Sequence, residues 1–346
     1  MRLRELPVIF RAREWWEFKL GPVLALIYGT ALRSNVSLFD YWWLLAGIIV
    51  ALAAVGAFAN VLNDWTDLDD DRASGKHNRL AGRARALPLL LVLLTGLLGL
   101  SAAWLVRPGA AGLLLYGAIV AVFSLYSIAP VRLKRRGLGG ILADAAGAHI
   151  FPALFAVVAF AHASGIALTF AWILTVGLWA FTSGIRGILW HQLRDYENDK
   201  RTGGKTFVCR HGPEAARKLG ERVIFPLELA ALCGLLVLCG SAVPFLVLGL
   251  DMLLTRLRVT HRDIEFIVVN PRQHSRVWLL EFNDTLLPVS LLLTSAFRHP
   301  VDFIVLLVHA AIFPVRLKTW LRDFGRLLVK AGKRSRKRSR EARQHR

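Results

Sequence analysis

Eight carboxylates in two short stretches carry the chemistry that this sequence can do. Asp64, Asp67, Asp69, Asp70 and Asp71 fall within eight positions of "NVLNDWTDLDDDR", and Asp195, Glu197 and Asp199 within five positions of "HQLRDYENDKRTGGKTF". Asn63, Asp67 and Asp71 are four residues apart. On an α-helix each such step drifts by only about 40°, so the three share a face. Asp64, three before Asp67, joins that face, and Asp195 and Asp199 repeat the four-residue step on a second helix. Two carboxylates about 4 Å apart repel by about 4 kcal/mol at an effective dielectric of about 20, so a cation is needed among them. Oxygen ligands select hard ions, and Mg2+ binds a few carboxylates together with substrate phosphates. Two acidic helix faces set against one another would hold a Mg2+–diphosphate unit between them.

The elements that must position these faces are apolar. The 346 residues are 55% hydrophobic yet carry Lys+Arg 44 against Asp+Glu 24, a formal charge of +20, and the mean hydropathy is +0.47. A chain both oily and basic separates the two characters into long apolar segments and basic connections, as a polytopic membrane protein does. This excludes a disordered chain and, with Cys 3, a disulfide scaffold. Candidate spans cover 18–32, 41–63, 86–106, 109–129, 139–161, 166–190, 223–240, 243–254, 279–296 and 301–317. Several reach the ~20 residues that cross ~30 Å of hydrocarbon. The expected architecture is all-α: a membrane bundle of nine or ten helices around a central cavity, spanning residues 1–318. Both acidic stretches lie at the ends of apolar spans on one side.

That side is the basic one. Arg2, Arg4, Arg11, Arg13 and Lys19 precede the first span, and Arg72, Lys76, Arg79, Arg83 and Arg85 follow the second. Arg132, Lys134, Arg135 and Arg136 follow the fourth, whereas the opposite connections carry little beyond Arg33, Arg107 and His162. The excess of cations places the N-terminus and both acidic stretches in the cytoplasm, with the protein integral to the cell (inner) membrane. No small-residue cleavage site follows the first apolar run, so no removed signal peptide is expected. A basic tail, 319–346, closes the chain. Between Arg326 and Arg346 it holds ten Lys or Arg and one acid, which suits water or lipid headgroups. With no aromatic platform nearby, nucleic acid is not an expected partner.

The two acidic stretches carry a resemblance. Asn63-Asp64-x-x-Asp67-x-x-x-Asp71 resembles the first Asp-rich motif of the UbiA superfamily of intramembrane prenyltransferases. Asp195-Tyr196-Glu197-Asn198-Asp199, followed by "KRTGGKTF", resembles the second, and "YSIAPVRLKRRGLGG" between them is similar to the segment after the family's fourth helix. The resemblance covers about residues 10–240. It implies a prenyl diphosphate bound through Mg2+ at the mouth of the cavity, with the prenyl tail along its apolar length. Asn63, Asp67 and Asp71 would hold one Mg2+, with Asp64 in support, and Asp195 and Asp199 the other. Lys134 and Arg135 stand where the family places diphosphate-contacting cations, or serve as membrane-flank anchors; Arg72 and Lys76 face the same two readings. Tyr126 would line the cavity and face the allylic cation, or simply pack. The Tyr-x-x-x-Lys pattern of some family branches is absent, because Pro130 follows Tyr126. His191 and Arg194 are at most supporting contacts to the second motif.

The acceptor is not written in these residues. The family offers hydroxybenzoates, naphthoates, homogentisate, chlorophyllide, haem, glycerol lipids and phosphosugars, and a small aromatic acceptor is the family's prior. Two other classes compete: a transporter or cation channel, and a scaffold without activity. Transporters place ionisable groups near the midplane of broken helices, whereas these clusters lie at helix ends. Cys209, Cys233 and Cys239 have no metal spacing, the histidines are scattered, and "GLGG" and "TGGK" lack a strand–loop–helix setting. Glu228 and Asp251 are acids in or near spans and so candidates by location.

Overall fold

The computed structural model describes residues 3–262, 264–326 and 329. Most of the basic tail, 327–328 and 330–346, lies outside the described residues. Two short helices, α1 (Leu6–Ile9) and α2 (Ala12–Trp15), lead through a wide π turn (Trp16–Leu20) into α3 (Gly21–Arg33). There follow α4 (Trp42–Thr66), α5 (Leu68–Ser74), α6 (Leu87–Leu105) and α7 (Gly109–Ser127). Helix α8 (Leu138–Ala145) passes through a π turn (Ala146–Ile150) into α9 (Phe151–Ala163), and α10 (Phe170–Arg201) is the longest helix. Short α11 (Phe207–His211) and α12 (Pro213–Leu219) precede α13 (Phe225–Leu238), α14 (Val243–Arg262), α15 (Leu287–Arg298) and α16 (Asp302–Ile312).

The bundle is helical because a backbone in hydrocarbon must satisfy its own hydrogen bonds. Among the described residues five helical segments are long and apolar enough to cross a membrane: Phe39–Thr66, Leu87–Leu105, Gly109–Ser127, Leu138–Ala163 and Phe170–Arg201. The other expected spans are helical too. Of these, α3, α13 and α15 are shorter, and α14 runs on past residue 254 to take in Arg256 and Arg258. Lipid-facing and core-facing sides separate cleanly on α6. Leu90, Leu94, Leu97 and Leu98 are exposed, while Leu91, Thr95, Gly99 and Ala102 are buried towards α4.

Two regions depart from the sequence expectation. The segment 301–317 is not one straight span: α16 and a terminal helix, Pro314–Arg326, meet at 90°. Pro314 has no N–H to continue α16, and the Glu17 carboxylate accepts from Val315 N (2.9 Å) and Arg316 N (2.7 Å) at the new helix start. Between α14 and α15 a short parallel pair, β1 (Glu265–Ile267) and β2 (Ser275–Val277), interrupts the helices.

Close approach of α8 and α10 depends on Gly184. A Cβ there would lie 2.9 Å from Ala145 Cα and 3.1 Å from the His149 ring. Small residues at such crossings let helix backbones touch. Gly184→Ala is therefore expected to destabilise the bundle by about 1–3 kcal/mol through overpacking, read as a lower thermal midpoint in detergent.

Candidate active site at the mouth of the bundle

The first acidic stretch straddles a helix break. Helix α4 ends at Thr66 and α5 begins at Leu68, with Asp67 between them. The four-residue steps survive, because Asp67 N donates to Asn63 O (3.1 Å) and Asp71 N to Asp67 O (2.8 Å). Asp64 does not join its neighbours' partners. It is buried and faces Arg11 (3.5 Å) and Arg79 (3.7 Å), one residue's rotation away from Asn63, and its Oδ2 accepts no hydrogen bond. Asn78 Nδ2 ties the stretch together, donating to Asp64 O (2.7 Å) and Asp71 Oδ2 (2.8 Å).

The connection between α7 and α8 lays its cations over this stretch. Lys134 Nζ donates to Asp67 Oδ1 (2.6 Å) and Asn63 Oδ1 (2.9 Å). Arg132 bridges Asp67 (2.5 Å) and Asp70 (2.6 Å), and Arg135 adds a second contact to Asp70 at 2.6 Å. Arg132 adopts φ 40°, ψ 60°, a left-handed conformation uncommon for a side chain of this size; its two ion pairs hold it there. Desolvation opposes the charge on Asp70, but the hydrogen bonds and charges of Arg132 and Arg135 outweigh it. They hold the Asp70 carboxyl below the ordinary carboxylate range. Burial takes the Lys134 ammonium below the ordinary lysine range, with Asp67 opposing and the two arginines assisting.

The second stretch ends α10. Gly203 at φ +70° and Gly204, whose N–H bonds Asp199 O at 2.6 Å, stop that helix, as a left-handed glycine commonly does. So "TGGK" is a helix stop. Gly137 N donates to Lys205 O (3.1 Å) and thereby fixes the cationic connection beside this end. Lys76 Nζ, arriving from the segment after α5, stands 3.8 Å from Asp199 Oδ1. Asp195 is half exposed and paired with Arg194 at 3.2 Å. Tyr126 is half-buried on α7, and the Lys76–Asp199 contact brings the segment after the first stretch against the end of the second.

Asn63, Asp67 and Lys134 thus meet directly, with Asp70 and Arg135 alongside, and Asp71 is held by Asn78. Arg72 is exposed and outside these ion pairs. Arg132 and Asn78 were not singled out from sequence. Arg132 was visible only as one more flanking cation, and nothing local marked Asn78. Beside Asp70 a cleft of about 530 Å³ is lined by Arg132, Arg135, Arg136, Lys205 and Arg210, a setting for an anion with several oxygens.

As a metal site the donor set is right in kind: carboxylate and amide oxygens, with no His or Cys among them. Among the described residues no three acids, His or Cys stand close enough to hold an ion by themselves.

The sequence profile of the UbiA prenyltransferase family matches residues 20–266. The chain belongs to this family. It is a helical integral membrane prenyltransferase, and the profile reaches past residue 240, where the motif resemblance stopped. The bacteriochlorophyll synthase 33 kDa chain of Cereibacter sphaeroides is 28% identical over 233 residues, which are 64% of this chain and 72% of that one. Its counterpart in Rhodobacter capsulatus is 27% identical over 207 residues, 59% of this chain and 66% of that one. Among solved structures, a UbiA homolog from Archaeoglobus fulgidus bound to DMAPP and Mg2+ has a TM-score of 0.54 at 18% identity. It covers 90% of this chain and 99% of its own. The same homolog bound to GPP and Mg2+ has a TM-score of 0.52 at 16% identity, covering 90% and 100%. At this identity the likeness is one of fold.

Proposed function

We propose that this UbiA prenyltransferase carries out Mg2+-dependent transfer of a prenyl group from a prenyl diphosphate to a small aromatic acceptor within the membrane. The observation that carries the reading is the charge arrangement at the mouth. Asn63 and Asp67 are engaged by Lys134 and Arg132, while Asp199 at the end of α10 is met by Lys76 from the segment just after the first stretch. Asn63, Asp67 and Asp71 would hold one Mg2+ and Asp195 and Asp199 another, with Asp64 behind. Solved relatives of the same fold were obtained with DMAPP or GPP and Mg2+, which supports the choice of donor and ion.

Mg2+, if held there by Asn63, Asp67, Asp71, Asp195 and Asp199, would supply positive charge for a diphosphate leaving group. The protein's own cations do the rest. Lys134, Arg132 and Arg135, which neutralise Asp67 and Asp70, would stand ready for the diphosphate oxygens if a metal held those carboxylates. The leaving group departs with the bonding pair, and its negative charge is met by groups already in place. Tyr126 presents its ring to the allylic cation, and the apolar bundle excludes water that would otherwise capture it. The acceptor forms the new bond to the prenyl carbon and loses a proton. The basic connections support a cytoplasmic mouth in the cell membrane, with the catalytic domain spanning 1–318.

Membranes holding the full chain, given labelled geranylgeranyl or longer diphosphates and a panel of acceptors, are expected to yield a prenylated lipid identified by mass. EDTA abolishes the product and Mg2+ restores it. Because Mg2+ binds a few carboxylates together with substrate phosphates, Mg2+ measured alone is expected to bind at least about tenfold more weakly than with prenyl diphosphate present, a difference of about 1.4 kcal/mol. Undiminished turnover in EDTA would overturn the metal assignment.

A further inference from the structure

The break at Asp67 releases a backbone acceptor, and Asn78 takes it. Helix α4 ends at Thr66 and α5 starts at Leu68, and no helical bond closes on Asp64 O across the gap. A buried carbonyl of this kind needs a donor from elsewhere. Asn78 Nδ2 supplies one at 2.7 Å and gives its other hydrogen to Asp71 Oδ2 at 2.8 Å. A single amide thus joins the last turn of α4 to the first turn of α5, on either side of Asp67.

That amide has little freedom. Asn78 is buried, and Leu80 N donates to its Oδ1 at 2.9 Å. A backbone N–H only donates, so Oδ1 faces Leu80 and Nδ2 faces the two acceptors. Leu80 is itself buried in a cluster with Ile9, Val61 and Leu91, so apolar packing holds the backbone behind Asn78. Asp71 differs from its neighbours in what meets it. Asp67 and Asp70 are covered by Lys134, Arg132 and Arg135, whereas Asp71 forms no ion pair among the described residues. Asn78 takes its Oδ2, and its Oδ1 accepts no hydrogen bond.

Hydrogen bonds from behind orient carboxylates that bind metals and keep them from turning. We propose that Asn78 is a positioning residue: it holds Asp71 by Oδ2 and so leaves Oδ1 for Mg2+. Because the donor is uncharged, it fixes the carboxylate without neutralising it, as a lysine or arginine would. The rotamer freedom that Asp71 would lose on taking an ion is already removed. This rests on the metal assignment of the proposed function and adds the group that sets the ligand in place.

The test uses Asn78→Ser in the purified full chain. Serine keeps an acceptor for Leu80 N, so the local turn persists, but its side chain is too short to reach Asp71. Mn2+ stands in for Mg2+, and its affinity is read from the free-ion EPR signal at a fixed level of geranylgeranyl thiodiphosphate, an unreactive donor. Asn78→Ser is expected to bind Mn2+ about ten- to a hundredfold more weakly than the unaltered protein. Asn78→Gln, which keeps the amide but displaces it by one methylene, falls between the two. In turnover, the Mg2+ needed for half the maximal rate rises by the same factor, while the rate at saturating Mg2+ changes much less. In an Asp71→Ala background Asn78→Ser weakens Mn2+ no further, because Asn78 acts through Asp71. Unchanged Mn2+ affinity in both Asn78 variants, or a full second loss in the double variant, overturns the proposal. So does a fall in maximal rate with the Mg2+ dependence unaltered, which is what a purely structural role would give. Failure of the metal assignment itself reads differently: the unaltered protein then adds no Mn2+ binding to that of the thiodiphosphate alone.

Discussion

Asp67→Asn is expected to lower Mg2+-dependent prenyl transfer by at least about 10²–10³-fold while the protein still inserts into the membrane. Asparagine keeps the size of the side chain and one acceptor oxygen but removes the charge. That charge is where the cations of the mouth converge, with Lys134 at 2.6 Å and Arg132 at 2.5 Å. Without it, a metal loses a ligand and Lys134 and Arg132 lose the partner that holds them in place. Insertion depends on the apolar run of α4, which ends before residue 67, so membrane yield is the control. Asp195→Asn tests the second stretch in the same assay, since it removes charge from the exposed end of α10. Product formation is measured at saturating donor. Full activity in either variant would remove that carboxylate from the site.

The largest effect on stability is expected at Glu228. It is fully buried at the start of α13 and paired with Arg186 of α10, itself 5% exposed. Both carboxylate oxygens are used: Arg186 takes both, and Ser183 and Asn283 add contacts at 3.2 Å. Arg186 also donates to Trp278 O at 3.0 Å. Glu228→Leu strands a guanidinium inside the bundle, at a cost of about 3–5 kcal/mol. Thermal unfolding in detergent should show a large drop. The double variant Arg186→Met/Glu228→Leu should recover most of it, because the stranded charge is gone. A double variant as unstable as the single would mean that the pair does something other than neutralise itself. The sequence marked Glu228 as an intramembrane acid of unassigned role, and its partner 42 residues earlier in the chain gives it a structural one.

What was legible in the sequence follows from local rules. A span must be apolar over its whole length, so 41–63, 86–106 and 109–129 could be read directly and are found as α4, α6 and α7. The acidic stretches were legible because like charges do not gather without cause, and the four-residue step of Asn63, Asp67 and Asp71 persists through the break at Asp67. The bend at Phe313–Pro314 was less so. Pro314 permits it, but its angle is set by Glu17, nearly three hundred residues away.

The sequence by itself determined that this chain lies in a membrane, that it is helical, and that its acids gather at two helix ends. Hydropathy and helical spacing act between near neighbours and leave their mark on any window of the chain. Only the tertiary structure decided which cation answers which carboxylate. It gave Asp67 to Lys134 and Arg132, turned Asp64 away towards Arg11 and Arg79, and set Lys19 beside His149. Those pairings join residues 15 to 130 apart. Charge falls off with distance in space and not along the chain, so only the folded bundle could set them.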